Sequence, residues 1–211
     1  MKKLTIIFLF SINTLQLLAQ QKKIDSLTNL KLTIITSFLD LRESDNIVDI
    51  GTGAGYSLVP IASKYPNIKF TVEDLDSTIL NKKKLLKQIK SRGKNASIEQ
   101  FKIVYGTEKS TNLPSAYFNK VILTDVIHEL TYKEPMLDEI KRILQKDGSI
   151  FIEEILVYKP GKKERGCDYP FLTEGAFKTL MTNNNFILVK EATTFNTGKK
   201  KYQKIFEYKL K

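Results

Sequence analysis

The stretch IVDIGTGAGYS, Ile47 to Ser57, decides the fold. It opens as a short β-branched run broken by one acid, Asp49, and passes into Gly51, Gly53 and Gly55 at every second position. A run of this kind reads as a buried strand. Glycines directly after a strand let the chain turn sharply and leave free amide groups at the start of the next helix, where an anionic or polar ligand can be held. A dinucleotide fingerprint would need a third glycine three positions after the second, but Tyr56 stands there and the third glycine falls at Gly55. The acid two residues before Gly51 and this shifted spacing therefore point away from a dinucleotide.

Outward from the loop, strand and helix signals alternate. Upstream, Ile24, Leu27, Leu30, Ile34, Ile35 and Phe38 recur at helical spacing, so a helix leads to a strand over Asn46 to Ile50. Downstream, the pattern predicts a helix over Gly55 to Lys64 closed by Pro66, a strand over Ile68 to Glu73, and a helix over Ser77 to Arg92 ended by Gly93. Short buried strands follow at Phe101 to Tyr105 and Lys120 to Thr124, then a helix over Tyr132 to Gln145 stopped at Asp147-Gly148. A strand over Ser149 to Tyr158 and a helix over Thr173 to Asn183 precede Phe186 to Phe195 and Gln203 to Leu210, which flank the turn NTGKKKY as a terminal hairpin. Such alternation implies an α/β, Rossmann-like doubly wound sheet, mostly parallel and covered on both faces by helices. With 211 residues and no linker or repeat, residues 20–211 read as a single domain.

The segment VEDLD ends the second strand with Glu73 and Asp74, the latter 23 residues beyond Gly51 (74 − 51). A carboxylate at that point lies beside the glycine loop and suits both hydroxyls of a ribose. Asp76 suits a different task, capping the helix expected from Ser77.

Together VDIGTGAG, VEDLD, YGTEKSTNLP, FNKVILTDVIHEL and LDEIKRILQKDGSIFIEE resemble a class I S-adenosylmethionine-dependent methyltransferase, in that family's order from about Ile47 to Glu154. The resemblance implies a seven-stranded, mostly parallel sheet whose antiparallel C-terminal hairpin strand lies beside the fifth. It also implies S-adenosyl-L-methionine as cofactor, with Asp49 and Gly51, Thr52, Gly53 and Gly55 at the methionine end, Asp74 on the ribose and Leu75 against the adenine. Thr124, at the end of the fourth strand, is expected to line the same cavity. Two departures stand out. Where many relatives carry an acid just after the glycine of YGTEK, this chain has Thr107, with Glu108 one place later; either residue is a candidate for the adenine amine. Asn119 replaces a common acid before the fourth strand.

Methyl transfer to oxygen needs an aligned acceptor and removal of a proton, a task suited to histidine. The single histidine, His128, and nearby Asp125 follow the fourth strand at the carboxyl edge, where open sheets bind ligands. Both are catalytic candidates, and His128-Glu129 resembles the histidine-acid pair of some small-molecule O-methyltransferases; a packing or capping histidine is the structural alternative. The segment Asp-Val-Ile-His lacks the acid or amide, two prolines and aromatic of amino-group and DNA methyltransferases. The loop Tyr158 to Thr173 has the Gly, Pro and charge content of a lid, with Tyr169 and Phe171 as candidate acceptor contacts and Cys167 nearby. The expected activity is methyl transfer to a small molecule, oxygen preferred. An RNA or protein methyltransferase and a degenerate cofactor-binding module are the alternatives.

Composition narrows partners further. The formal charge of +11 is carried almost wholly by lysine, whereas grips on phosphate and bases favour the arginine fork, so nucleic acid is disfavoured as a partner. Lys82-Lys83-Lys84 and Lys199-Lys200-Lys201 read as solvated charge. One cysteine excludes an internal disulfide, and with one histidine it excludes a zinc cluster of thiolates and imidazoles; no metal is expected. The first 19 residues carry Lys2-Lys3, an apolar run from Leu4 to Leu18 and a small residue at Ala19, the pattern of a signal peptide, with an uncleaved anchor or docking helix as the alternative. That pattern implies export or a periplasmic location, against a cytoplasmic or inner-membrane-anchored one. Membrane contact is expected only through this leader, and the pattern specifies no oligomeric state.

Overall fold

Strand β1 (Ile47–Ile50) is buried along its whole length, as a central parallel strand covered on both faces must be. β2 (Phe70–Asp74) and β4 (Phe118–Thr124) flank it in parallel, pairing Ile50 with Glu73 and with Leu123. The computed structural model describes residues 20–22, 25–161, 169–196, 198 and 200–211. Its remaining strands are β3 (Phe101–Tyr105), β5 (Leu144–Val157), β6 (Leu172–Thr173), β7 (Phe186–Asn196) and β8 (Lys201–Leu210). The sheet runs β3-β2-β1-β4-β5-β8-β7, with β6 joined to β5 off this path. β1 to β5 are mutually parallel, and β8 is antiparallel to β5 and β7. The doubly wound sheet with an antiparallel strand beside the fifth is therefore as expected, with β6 as an eighth strand of two residues that no alternating pattern marks.

The helices are shorter than their periodicity suggests. Helix α1 covers 25–39 and ends where Asp40 takes a positive φ of 42°. α2 is only Leu58–Ala62, not Gly55 to Lys64, because Gly55 sits at φ +83°, a left-handed conformation that no α-helix contains. α3 is Lys82–Arg92, capped by Asn81, whose side chain accepts from the Lys84 N–H. Residues 77–80 instead form turns, and the Asp76 side chain accepts from Thr78 N–H, so Asp76 caps that turn and not the helix. α4 (Lys133–Ile143) yields directly to β5 at Leu144, earlier than the Asp147-Gly148 stop, since Leu144 already pairs with Phe118. α5 (Glu174–Asn183) is capped by Thr173.

Alternation along the strands divides the core in two. Ile47, Ile122, Phe151 and Ile205 face α1, α2 and α3 with Phe38, Leu58, Ile61 and Leu85. Val48, Ile50, Leu123, Ile152 and Phe206 face the other way, with Met136, Ile140, Phe177 and Met181 of α4 and α5. Phe38 meets Phe151 edge-on, ring centroids 6.5 Å apart, and the Lys120 ammonium donates to the carbonyls of Leu39 and Asp40 at 2.6 and 2.5 Å. These contacts seat α1 across the sheet, so its upper turns reach the carboxyl edge of β4 and β5.

Candidate active site

The loop after β1 holds three left-handed glycines, at φ +67°, +57° and +83°. Side chains are absent for different reasons at each. A Cβ on Gly51 would lie 2.7 Å from Val126, and one on Gly55 2.7 Å from Leu85, so at these two positions the protein's own side chains occupy the space. Only Gly53 faces an opening, its nearest neighbour being Ile79 at 4.0 Å. Close approach of a ligand to bare backbone, expected of the whole loop, is thus confined to Gly53, and the other two glycines serve conformation and packing.

The carboxylate of Asp74 closes on this loop. Its Oδ2 accepts from Gly53 N–H at 2.8 Å and its Oδ1 from Asp76 N–H at 2.9 Å, while Thr52 N–H donates to the Glu73 carbonyl at 2.9 Å. Asp49, Gly51, Thr52, Gly53, Gly55 and Asp74 are therefore brought together. Around them the acids are crowded. Burial, with the Asp74 charge adding to it against the Thr52 hydrogen bond, pushes Asp49 up to about 7. Burial and the charges of Asp74, Asp49 and Glu139 push Glu73 up to about 8, against a hydrogen bond from the Gly51 amide. Buried carboxylates that repel one another hold their protons until a cation arrives. An ammonium and a sulfonium are cations of the required kind, so the residues present fit S-adenosylmethionine.

Leu75 lies past β2 and is 60% exposed, an uncovered apolar face of the kind a flat ring would cover. Thr107 and Ser110 form an isolated bridge, the Thr107 hydroxyl accepting from the Lys109 and Ser110 amides, so its lone pairs serve the turn. Glu108 sits exposed at the tip of that turn. Gly106 is required on steric grounds, since a Cβ there would fall on the Glu73 carboxylate. Asn119 is structural: its side chain accepts from Asn46 N–H at 2.7 Å and donates to Asp45 at 2.6 Å.

At the carboxyl edge, alternation sends neighbouring acids to opposite faces. Thr124 pairs with Glu153, and both continue the row of Ile122 and Phe151 towards α1. Glu153 Oε1 is held by the Lys31 ammonium of α1 at 3.0 Å and by the Thr194 hydroxyl at 2.5 Å, while its Oε2 is buried without a partner. Lys31 also donates to Gln203 at 3.0 Å, and Gln203 donates in turn to the Asp125 carboxylate at 3.2 Å. Burial, with the charges of Glu153 and Glu154, raises Asp125 to about 7 despite Lys31 and His128. On the other face, Glu154 Oε1 is 2.5 Å from His128 Nδ1, and Glu129 lies 3.2 Å from His128 Nε2. Burial works against a charged imidazole, but Glu154, Glu129 and Asp125 outweigh it and raise the His128 pKa. Edge-on at 4.7 Å, Phe171 backs the imidazole.

One expectation for the lid needs correcting. Phe171 is 8% exposed against His128, so it supports that ring and has no free face for an acceptor. Tyr169 lies under the Lys133 ammonium, 4.8 Å from its ring, on the α4 side. Cys167, residues 162–168 and the leader through Ala19 lie outside the described residues. Conversely, Lys31, Glu153, Glu154 and Gln203 belong to the site without having been singled out. For the two glutamates a signal existed: adjacent acids inside the apolar strand SIFIEEILV. Lys31 and Gln203 carried none, because one is an ordinary helix lysine and the other an ordinary hairpin residue.

Two cavities open on the α1 side. One of about 180 Å³ is lined by Lys31, Leu32 and Ile35 of α1, Tyr56 to Ile61 in part, Arg92, Thr124 and Glu153. A second, of about 260 Å³, is lined by Leu27, Thr28, Lys31, Phe195 and Gln203. Lys31 stands in the wall of both.

The chain is similar to known proteins. The profile of the O-methyltransferase domain matches residues 12–184. O-methyltransferase CTB2 of Cercospora nicotianae is 28% identical over 120 residues, which are 56% of this chain and 26% of that protein. The putative methyltransferase YrhH of Bacillus subtilis is 28% identical over 127 residues, 60% of this chain and 66% of that one. Among solved structures, a SAM-dependent methyltransferase from Aquifex aeolicus superimposes with a TM-score of 0.64 at 19% identity, over 90% of this chain and 96% of that one. The chain spans about a quarter of the length of curated relatives such as CTB2.

Proposed function

Because the chain belongs to the O-methyltransferase domain family of S-adenosylmethionine-dependent enzymes, we propose that it transfers a methyl group from S-adenosylmethionine to a hydroxyl of a small molecule. The observation that carries this reading is the hydrogen bond from Gly53 to Asp74, which joins the glycine loop to the carboxylate expected to take the ribose, beside the buried Asp49, whose carboxyl burial pushes up to about 7. When bound, the cofactor supplies an electrophilic methyl, and the protein's part is to align the acceptor, exclude water and take its proton. Asp49 would meet the ammonium, Gly53 would let the methionine end approach, Asp74 would hold the ribose hydroxyls, and Leu75 would cover the adenine. Thr107 and Glu108 are the candidates for the adenine amine, and the Thr107 hydroxyl is already engaged by the Lys109 and Ser110 amides.

His128 is the base in this reading. Glu154 fixes Nδ1 and leaves Nε2 to accept the hydroxyl proton once Glu129 gives way. A second reading makes Asp125 the base, favoured by its value near 7 and its connection through Gln203 to the cavity-lining Lys31. Calorimetric titration with S-adenosylhomocysteine tests the cofactor site; methyl-labelled cofactor with a pool of small hydroxyl compounds tests transfer. No cofactor binding overturns the whole reading. Loss of transfer in Asp125→Asn but not in His128→Gln moves the base to Asp125.

A further inference from the structure

Three arginines lie among the described residues, and two are spent on acids: Arg42 on Asp40, and Arg142 on Glu139 in a pair that also binds Ser115 and the Leu113 carbonyl. Arg92 differs. Its guanidinium carbon lies 3.5 Å above the ring centroid of Tyr56, and among the described residues it makes no ion pair. Stacking fixes the plane of a guanidinium while leaving its edge donors free, and that edge is the fork that receives a carboxylate bidentately. Both residues are exposed, and both stand in the wall of the cavity between α1 and α2.

That cavity has a mixed wall, part polar and part apolar. Its wall joins polar groups, Thr124 and Glu153 at the carboxyl edge and Arg92 with Tyr56, to the apolar Leu32, Ile35, Pro60 and Ile61. A volume of about 180 Å³ compares with the roughly 150 Å³ that houses one benzene ring. Glu153 supplies a second observation. It is 2% exposed, and its Oε2 lies buried beside the cavity without a donor, as a wall does that expects one from a ligand.

We propose that the α1–α2 cavity is the acceptor site and that it selects a single-ring hydroxylated carboxylic acid, with the carboxylate on the Arg92 fork and the hydroxyl end directed to Thr124 and Glu153. The ring packs between Ile35 of α1 and Pro60 and Ile61 of α2. Lys31, held by Glu153 and Gln203, stands in the walls of this cavity and of the second one. This deepens the methyltransferase reading in its Asp125 form, because His128 lies with Glu154 on the opposite face from Thr124 and Glu153, while Asp125 is linked through Gln203 to the cavity-lining Lys31. It rests on that reading for the role of the bound acid, though not for its binding.

The test is a calorimetric comparison of hydroxybenzoates with the matching hydroxybenzamides, on the protein alone and with S-adenosylhomocysteine added. The acid is expected to bind at least about tenfold more tightly than the amide, the yield of one charge-assisted contact. Arg92→Gln is expected to erase that preference while leaving S-adenosylhomocysteine affinity within about twofold. Tyr56→Leu, which removes the stacking plane, is expected to reduce the preference part-way, and melting curves confirm that both variants fold. Equal binding of acid and amide, no binding of either, or a preference that survives Arg92→Gln overturns the proposal. A fall in S-adenosylhomocysteine affinity in Arg92→Gln also overturns it, by assigning the guanidinium to the cofactor. Failure of S-adenosylhomocysteine to bind the unaltered protein refutes the methyltransferase reading instead, and the acid–amide comparison on the protein alone still decides the cavity.

Discussion

Cofactor affinity should depend on pH through Asp49. In the ligand-free protein this carboxyl is buried and titrates near 7, because desolvation and the neighbouring Asp74 charge disfavour its anion. An ammonium placed against it requires the anion. At pH 6, one unit below that value, only about a tenth of the molecules carry Asp49 ionised, and forming the anion costs about 1.4 kcal/mol. The dissociation constant for S-adenosylhomocysteine is therefore expected to be about tenfold weaker at pH 6 than its plateau above pH 8, with close to one proton released per molecule bound at pH 6. Titration calorimetry in two buffers of different ionisation enthalpy counts that proton directly. Asp49→Asn should bind weakly and lose this slope; Glu73→Gln should keep it. The same shift has a stability consequence of fixed sign. A carboxyl whose folded value lies above its unfolded one near 3.8 favours folding at low pH, so the unliganded protein should lose stability as pH rises from about 4 through 7. A flat affinity from pH 5.5 to 8, or a slope that survives in Asp49→Asn, would refute the assignment of the ammonium to Asp49.

Further outcomes follow from other contacts. Glu154→Gln, which weakens the charge on His128 Nδ1, should shift the acidic limb of the pH–rate profile downward and reduce kcat while leaving S-adenosylhomocysteine affinity unchanged; an unmoved limb removes His128 as the titrating base. Gly55→Ala should lower unfolding free energy by about 1–3 kcal/mol in urea titrations, since it adds left-handed strain and a contact 2.7 Å from Leu85, both of which native stability must absorb. Lys31→Met should cost about 1–3 kcal/mol by stranding the buried Glu153 carboxylate, and Lys31→Met with Glu153→Leu should recover most of that loss in the same assay.

The legible part of this protein is periodic or local. Ile47 to Gly55 specifies its strand and turn through β-branched side chains and positive φ, properties of each residue and its nearest neighbours, and the spacing to Asp74 follows from the length of one βαβ unit. That is why the alternation of strands and helices, the glycine loop and the place of Asp74 beside it could be expected from the chain alone, whereas the antiparallel strand beside the fifth came from the family resemblance. Helix starts were less legible, since the left-handed Gly55 and the Asn81 cap override an apolar period that continues through them.

What tertiary structure decided is which side chains share a cavity and which charges face each other. Lys31 and Glu153 are 122 residues apart (153 − 31), and no pattern links them; α1 brings them within 3.0 Å by crossing β5 on Phe38. Alternation sends Glu153 and Glu154 to opposite faces, but only the packed sheet shows that one meets a lysine and the other a histidine. Phe171, plausible in sequence as an acceptor platform, turns its ring to His128 because burial there satisfies both. Local geometry is written into each residue's own torsions and volume, whereas the electrostatics of a site depend on distances that exist only after the chain has folded.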